Sequence, residues 1–283
     1  MGAVVLVLGG TGFVGRAIVE RLLDDGHQPV LFNRGTSPDL FPGVPRLVGD
    51  RVAGDYAALR EGSWDAVVDV TGYYPVDVGR AMDAVGDRAG RYVFLSSHAV
   101  FDGGSTNLRP PMRDAGPPLT NETYGPSKVA CEQDVAARFG ERATVVRPCK
   151  VAGPHDNQAG LTHWVRAAAA GGRIEVPGDP AQPIQLADSR DVARLVVDLL
   201  VAGRGGAFTA AGESTTLGEL ITRCAEAAGT DVEVVRVPSA DRLFPLVRAP
   251  ELWDTQHRVP APEMTVTPLP VTIRDTLAWV RAG

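Results

Sequence analysis

The chain has few cysteines and no pattern that would join them. Its 283 residues include three, Cys131, Cys149 and Cys224, far apart and odd in number. The absence of a Cys-x-x-Cys pair excludes a disulfide framework and the common zinc patterns. We therefore expect a reducing, cytoplasmic setting and no bound metal.

The chain also lacks basic clusters and long apolar runs. Its arginines are scattered and its formal net charge is -6, which disfavours nucleic acid and anionic membranes as partners. The apolar N-terminal run, Val4–Leu8, is far too short to span a bilayer, and no basic residue precedes it as in a secretion signal. We expect a small molecule as the ligand, with no nucleic-acid or membrane partner.

What the sequence does contain is typical of a globular protein with long loops. Hydrophobic residues make up 44% of the chain, which also holds 32 glycines and 22 prolines. The length allows a substantial core, in one large domain or two small ones.

Short apolar runs alternate with segments of helical length in the first half. Val4–Leu8 is a continuous β-rich run, as expected for a strand buried on both faces. Apolar residues then recur at helical spacing until Gly26. Further strands are predicted at 29–32, 47–48, 66–70, 92–95 and 144–146, and a helix at 128–139. This alternation predicts an α/β fold with a doubly wound parallel sheet.

The pattern changes near residue 152. Helices are predicted at 155–170, 188–200, 217–228 and 272–280, a strand at 232–237, and irregular structure over the proline-rich stretch 238–270. We predict a dinucleotide-binding domain over 1–151 and a smaller, loop-rich substrate-binding part over 152–283. The second part is expected to lack a core of its own and to be packed on, and partly interleaved with, the first. Ligands of open α/β sheets bind at the carboxyl ends of the strands, which this part would cover.

A glycine-rich turn follows the first predicted strand. In the segment Gly9-Gly10-Thr11-Gly12-Phe13-Val14-Gly15, the first glycine permits a tight turn, Gly12 lets a pyrophosphate approach the backbone, and Gly15 lets the helix pack closely. Free N–H groups and the positive end of the helix dipole would face the phosphates. A plain tight turn is the alternative, which the position between the first strand and first helix disfavours. The spacing predicts a Rossmann-type dinucleotide site formed by Gly9, Thr11, Gly12, Phe13, Val14 and Gly15.

The end of the second strand indicates which dinucleotide binds. An acid there usually contacts the ribose 2′-hydroxyl of NAD, but this chain has Asn33-Arg34-Gly35. A guanidinium can pair with a 2′-phosphate in two-pronged fashion. We expect Asn33 and Arg34 to bind NADP(H), with NAD(H) as the alternative cofactor and a solvated turn arginine as the alternative role of Arg34.

The Gly-x-x-Gly-x-x-Gly spacing resembles the short-chain dehydrogenase/reductase superfamily, in its extended and atypical, epimerase/dehydratase-like branch. The resemblance continues through most of the chain. It implies that Asp50 and Arg51 lie at the adenine, that Thr71 and Gly72 lie beside the cofactor ribose, and that Pro148 also contacts the cofactor.

A Tyr-x-x-x-Lys motif, Tyr124 to Lys128, follows a strand that ends in Ser96-Ser97. The pKa of free tyrosine is near 10, and an ammonium one helical turn away stabilises the phenolate. In the superfamily such a serine, tyrosine and lysine perform the acid–base chemistry, and the lysine also binds the nicotinamide ribose. The resemblance assigns these roles to Ser97, Tyr124 and Lys128. A chance Tyr-x-x-x-Lys match is the alternative, which the glycine turn disfavours.

Substrate-binding residues are less sharply defined. We expect contributions from Tyr73, after the strand at 66–70, and His98, beside Ser97. Lys150, at the end of the predicted first domain, and Gln185, in the second part, are further candidates, although an ordinary packed or exposed role explains each of them. The long loop 101–123 is expected to form a wall of the cleft, and Trp253 and Phe244 either a hydrophobic lid or a cover for the core.

The leading hypothesis is an NADPH-dependent reductase of a ketone on a small organic molecule. A role in polyketide tailoring, as in antibiotic biosynthesis, is suggested by family analogy alone. One alternative is a nucleotide-sugar epimerase, dehydratase or 4-ketoreductase. A second is a non-catalytic cofactor-sensing or RNA-associated protein, which the complete serine–tyrosine–lysine set disfavours. A homodimer is expected because dimers are common among the relatives.

Overall fold

A computed structural model describes residues 2–238, 245–248 and 250–283. The chain divides into two compact units. The first comprises the residues up to Asp102, Thr106–Pro148 and Val192–Thr209, and the second comprises Gly103–Ser105, Cys149–Asp191 and the residues from Ala210 onward.

The helices and strands of the described residues follow one another in this order: β1 (Val4–Leu8), α1 (Phe13–Asp24), β2 (Gln28–Asn33), β3 (Arg46–Val48), β4 (Ala66–Asp69), α2 (Pro75–Val85), β5 (Tyr92–Leu95), α3 (Asn121–Phe139), β6 (Ala143–Pro148), β7 (Lys150–Ala152), α4 (Leu161–Ala170), β8 (Gly172–Pro177), β9 (Pro183–Asp188), α5 (Ser189–Val201), β10 (Gly206–Ala210), β11 (Ser214–Thr216), α6 (Leu217–Ala228), β12 (Val232–Val237) and α7 (Leu269–Ala282).

The first unit is built on a seven-stranded sheet of order β10-β6-β5-β4-β1-β2-β3, as the alternating pattern predicted. All pairs from β6 to β3 are parallel. Both faces of β1 are buried, which explains its unbroken apolar sequence. On one face, Leu6 and Leu8 of β1 join Phe94 of β5 in a core with Val78 of α2 and Val135 of α3. The carboxyl ends of these strands lie at one edge of the sheet.

Most of α5 and β10 belong to the first unit although they lie late in the sequence. The Thr144 hydroxyl donates to the Arg204 carbonyl at 2.6 Å, and Arg91 donates to the Gly203 carbonyl at 2.5 Å. The segment Val192–Thr209 therefore completes the edge of the sheet that begins with β6.

The second unit has two small sheets, of order β11-β9-β7 and β12-β8. Helices α4, α6 and α7 pack with them around a core that includes Trp164, Ile184, Leu186, Ile221 and Ile273. The expectation that this part has no core of its own is therefore wrong. Its strands β7 to β9 are short and contain or adjoin glycine and proline, so their apolar residues formed no recognisable run in the sequence.

Two predicted helices have different starts in the structure. Helix α3 begins at Asn121, seven residues before the predicted start at 128, with Pro126 inside it. Helix α4 begins at Leu161 and not at His155, because His155 and Ala159 have left-handed backbone angles, with φ of 67° and 55°.

The three cysteines are free and buried. Burial raises the pKa of each thiol to about 12. Among the described residues, no helix combines the length and the apolar character that a bilayer crossing requires.

Candidate active site

The glycine turn between β1 and α1 is built as the sequence predicted. Gly9 has a φ of 98°, which favours glycine. A Cβ on Gly15 would lie 2.2 Å from the Gly9 carbonyl oxygen, whereas a Cβ on Gly12 would meet no atom within 4 Å. Gly15 is thus required for packing, and Gly12 leaves open space beside the turn.

The amino end of α1 is left unneutralised. Gly12 is its N-cap, no side chain caps it, and its first turn contains no acid. The first internal bond of the helix runs from the Arg16 N–H to the Gly12 carbonyl, so the N–H groups of Phe13, Val14 and Gly15 point out of the helix end. Such an end is a favourable site for a pyrophosphate.

Asn33 and Arg34 follow at the end of β2. The Asn33 Oδ1 accepts a hydrogen bond from the Gly35 N–H at 2.9 Å, while its Nδ2 is buried and has no partner among the described residues. The Arg34 side chain is exposed. Within the described ranges, the buried Asn33 donor without an acceptor, the exposed Arg34 cation and the open space at Gly12 together fit an adenine dinucleotide.

Arg51 forms an ion pair with a buried acid of the first unit. Its guanidinium is largely buried and pairs with both oxygens of the Asp69 carboxylate, each at 2.6 Å. Both terminal nitrogens of the Arg51 guanidinium are thus engaged inside the protein, while its Nε is buried without a partner among the described residues. The predicted contact of Arg51 with the cofactor stays a prediction. Asp50 stays at the surface side of the turn, where its Oδ1 accepts from the Val52 N–H at 2.9 Å.

Tyr124 and Ser97 come together in the first unit. Tyr124 lies in the first turn of α3, where its N–H donates to the Thr120 carbonyl. Burial raises the pKa of Tyr124 to about 12, against the opposing effect of a hydrogen bond with the Ser97 hydroxyl. The Ser97 Oγ also accepts from the Ala99 N–H at 3.2 Å, which fixes it at the end of β5.

Lys128 lies one turn further along α3 and is 1% exposed. Its Nζ donates to the Gly72 carbonyl at 2.7 Å and to the Leu95 carbonyl at 2.6 Å, and it lies 4.1 Å from the centre of the Phe94 ring. Burial lowers the pKa of Lys128 to about 8 even though Asp69 acts to raise it. The ammonium is thus held at the carboxyl ends of β4 and β5.

Ser96, the other serine of the pair, faces a different group. Its hydroxyl donates to the buried Glu132 carboxylate at 2.5 Å, and Arg147 donates to the same carboxylate at 3.0 and 2.6 Å. The two serines therefore have different partners: Ser96 contacts Glu132, and Ser97 contacts Tyr124. Glu132 was not predicted as a site residue, although its place one helical turn beyond Lys128 was a usable signal.

Tyr73 and His98 lie beside these groups. The Tyr73 ring centre is 6.4 Å from that of Tyr124 and 5.5 Å from the Lys128 Nζ, and the residue is 42% exposed. His98 is half-buried and begins the short turn after Ser97. Tyr73 thus adjoins the acid–base pair and still has exposed surface that a substrate could contact.

The remaining cofactor candidates lie at strand ends. Thr71 and Gly72 follow β4, and Pro148 is the last residue of β6. Thr71 packs against the glycine turn, since a Cβ on Gly9 would lie 2.3 Å from the Thr71 Cγ2.

Lys150 belongs to the second unit. Its Nζ lies 3.4 Å from the Gln158 Oε1, and burial together with the charge of Arg248 lowers its pKa. Nearby, burial raises the pKa of Asp156, whose Oδ2 is buried without a partner among the described residues. Lys150 is therefore only weakly held, and its predicted substrate contact stays a prediction.

Gln185 has a structural role in the second unit. Its Nε2 donates to the Gly212 carbonyl at 3.0 Å and to the Arg258 carbonyl at 2.8 Å, and its Oε1 accepts from the Arg258 N–H at 2.8 Å. The residue is 3% exposed. The amide of Gln185 is thus engaged within the second unit, and its predicted role in substrate binding stays a prediction.

The predicted lid residues are only partly covered by the structure. The Trp253 Nε1 donates to the Arg248 carbonyl at 3.3 Å in the second unit. Phe244 lies outside the described residues.

The sequence matches the family model of the NAD dependent epimerase/dehydratase family over residues 5–62 and 57–211. The chain is 26% identical to the chloroplast stem-loop binding protein of 41 kDa b of Arabidopsis thaliana, over 80% of this chain and 63% of that protein. It is 29% identical to 2-alkyl-3-oxoalkanoate reductase of Stenotrophomonas maltophilia, over 86% and 84% of the two chains. It is 31% identical to 2'-dehydrokanamycin reductase of Streptomyces kanamyceticus, over 71% and 58%.

The chain thus spans less than two thirds of the length of two of these relatives. Among solved structures, UDP-glucose 4-epimerase from Thermotoga maritima is similar with a TM-score of 0.74 at 18% identity, over 99% of both chains. At that identity the similarity concerns the fold alone.

Proposed function

Because the chain belongs to the NAD dependent epimerase/dehydratase family, we propose that it is an NADP(H)-dependent oxidoreductase that reduces a ketone on a small organic molecule. The bound reduced cofactor supplies the hydride. The residues of this chain hold the ketone oxygen, deliver a proton to it and control the charge around it.

The placement of Tyr124 beside the Ser97 hydroxyl, with Lys128 one turn further along α3, carries the proposal. With a pKa of about 12, the phenol keeps its proton at neutral pH and is ready to donate it. Reduction of a ketone needs such a donor, whereas an epimerase must first remove a proton from a substrate hydroxyl. The same phenol would return the proton in the second half of an epimerase reaction, so the choice of reduction rests on the relatives that are named as reductases.

Ser97 and Lys128 support this proton transfer. The Ser97 hydroxyl is hydrogen-bonded with Tyr124, so both can reach one substrate oxygen. As Tyr124 gives up its proton, the buried Lys128 ammonium stabilises the resulting phenolate in surroundings of low dielectric constant.

The preference for NADP(H) rests on the end of β2. The exposed Arg34 can pair with a 2′-phosphate. The buried Asn33 Nδ2 has no acceptor in the part of the chain that the structure describes, and a ribose or phosphate oxygen would provide one. The absence of an acid at this position removes the group that would repel the phosphate. NAD(H) stays the alternative cofactor.

The similar proteins support reduction more than any specific substrate. One relative, matched over 84% of its own length, is named as a 2-alkyl-3-oxoalkanoate reductase. Another is named as the reductase of a dehydrokanamycin, which gives weak support to a role in antibiotic biosynthesis. One relative is named for stem-loop binding. The net charge of -6 of this chain disfavours nucleic acid as its partner. The predicted homodimer and cytoplasmic location stay predictions.

The proposal is tested by following NADPH oxidation with a panel of small ketones that includes 2-alkyl-3-oxoalkanoates. Tyr124→Phe removes the proton donor, so kcat should fall by about 10²- to 10⁴-fold while NADPH still binds. Tyr74→Phe is the matched control, because it removes a tyrosine hydroxyl that caps no helix although Tyr74 is the N-cap residue of α2. Unchanged turnover in Tyr124→Phe would show that the acid–base role is wrong.

A further inference from the structure

A buried ion pair lies beneath the candidate site and is not used by the proposed reaction. Arg51 and Asp69 form two parallel hydrogen bonds of 2.6 Å, and the Asp69 side chain is completely buried. Burial alone would raise the pKa of Asp69, but Arg51 and the Tyr92 hydroxyl hold it below its ordinary value. The Tyr92 hydroxyl donates to the Asp69 Oδ2 at 2.8 Å.

The same pair fixes the turn that follows β4. The Asp69 Oδ1 accepts from the Thr71 N–H at 3.1 Å, and Arg51 donates to the Thr71 Oγ1 at 2.9 Å. A Cβ on Gly72 would lie 3.0 Å from the Asp69 Oδ2, so the turn folds back over the carboxylate. The backbone from Asp69 to Gly72 is therefore held by this ion pair.

This turn carries two contacts that the site needs. The Gly72 carbonyl accepts from the Lys128 Nζ at 2.7 Å. The Thr71 methyl group packs on Gly9, the first glycine of the cofactor turn. One rigid segment thus contacts both the buried ammonium and the glycine turn.

From these contacts we infer that the Arg51–Asp69 ion pair is a positioning element, which orients Lys128 through the Gly72 carbonyl and supports the glycine turn through Thr71. Its effect on catalysis rests on the proposed function, but its effect on Lys128 follows from the contacts alone. Besides Asp69 and Arg51, the titratable groups that act on Lys128 are Cys131 and Glu132, both from α3.

The first test measures Lys128 in the unligated protein by NMR titration of ¹³C-labelled lysine. The negative charge of Asp69 favours the ammonium, so Asp69→Asn should lower the pKa of Lys128 from about 8 by about one unit. Arg190→Gln is the matched control, since Arg190 forms an equally short pair with the buried Asp188 in the second unit. It should leave the Lys128 titration unchanged.

The second test separates orientation from charge. Arg51→Lys keeps the positive charge but loses the two-pronged geometry that holds Asp69 and Thr71. We expect kcat for ketone reduction to fall about tenfold with Lys128 titrating as in the wild type. An unshifted Lys128 titration in Asp69→Asn, or a full kcat in Arg51→Lys, would overturn the inference.

If Asp69→Asn does not fold because Arg51 is left buried and unpaired, a third variant replaces it in the test. The double variant Arg51→Gln with Asp69→Asn keeps hydrogen-bonding groups without buried charge. It should still lower the pKa of Lys128 and reduce kcat, and wild-type values for both would reject the inference. Full turnover in Tyr124→Phe would instead reject the proposed function. The NMR titration of Lys128 would still test whether the Arg51–Asp69 ion pair acts on that lysine.

Discussion

Tyr124 and Lys128 are shifted in opposite directions by the same cause. Burial disfavours the charged form of each, so it raises the pKa of the phenol to about 12 and lowers that of the ammonium to about 8. At neutral pH both groups carry their protons. This state is suited to donating a proton and then stabilising the phenolate that forms.

The activity should therefore fall in mildly alkaline solution. Lys128 loses its proton above pH 8, well below the pKa near 10.5 of an ordinary lysine, and its attraction to the phenolate is lost. We expect kcat/KM to be level below pH 8 and to fall about tenfold per pH unit above it. A pH–rate profile with NADPH and a reducible ketone measures this, and a profile that stays level to pH 10 would contradict it.

Arg34 should decide between the two cofactors. Losing charged hydrogen bonds to a 2′-phosphate costs about 1.5–3 kcal/mol, so Arg34→Gln should raise the KM for NADPH by about 10- to 100-fold and leave that for NADH unchanged. Arg80→Gln, at another exposed arginine of the first unit, serves as the control. Equal losses with both cofactors would assign Arg34 a role unrelated to the phosphate.

The sequence predicted which candidate residues lie together when their motif was local. Tyr124 and Lys128 are four apart on one helix, so their spacing sufficed. The pairing of Arg51 with Asp69 spans 18 residues of sequence and depends on how β3 and β4 are placed in the sheet. An acid at the end of a strand buried on both faces was a signal for it, but its partner was not predictable from spacing.

At the scale of elements, the turn into α1 separates two uses of glycine. Gly15 makes room for the backbone of Gly9, whereas Gly12 makes room for nothing in the protein. The two positions therefore offer a matched pair of substitutions.

Gly12→Ala should weaken NADPH binding at least tenfold, because its methyl group would occupy the space of the pyrophosphate, and should change the unfolding free energy by less than about 1 kcal/mol. Gly15→Ala should weaken binding and also lower the unfolding free energy by about 1–3 kcal/mol, because the backbone must move. Urea unfolding and a fluorescence titration with NADPH measure both effects. Wild-type NADPH affinity in Gly12→Ala would show that the phosphates lie elsewhere.

Helices and strands were predicted best where their apolar pattern is regular and no proline interrupts it. The bounds of β5, α6 and β12 are those expected from the sequence. The start of α3 was missed because Pro126 lies inside the helix, where proline is usually unfavourable. The structure shows that the Thr120 side chain caps this helix in a capping box with Thr123.

At the scale of the whole molecule, the chain order does not follow the order of the units. The first unit needs Val192–Thr209, which is flanked on both sides by segments of the second unit. The predicted division at residue 151 therefore falls before two elements that the first unit contains. Their place in the structure, and not their sequence, assigns α5 and β10 to the first unit.

A fragment of residues 1–151 should consequently fail to fold cooperatively. It lacks the apolar face of α5, with Val192, Val196 and Leu199 buried, and it leaves β6 as an unpaired edge. We expect aggregation and no NADPH binding, as followed by urea denaturation and light scattering beside the full chain. Cooperative unfolding of the fragment would show that α5 and β10 are dispensable.

Because β10 lies late in the sequence, it is synthesised well after β6, the strand that it borders in the sheet. A ribosome adds about 5–20 residues per second, so about 3–12 seconds separate the synthesis of β6 from that of its outer neighbour. During this interval the nascent sheet ends in a strand with unpaired backbone groups. We infer that the newly made chain is most vulnerable to misassociation, and most dependent on chaperones, between the synthesis of Pro148 and that of Ala210.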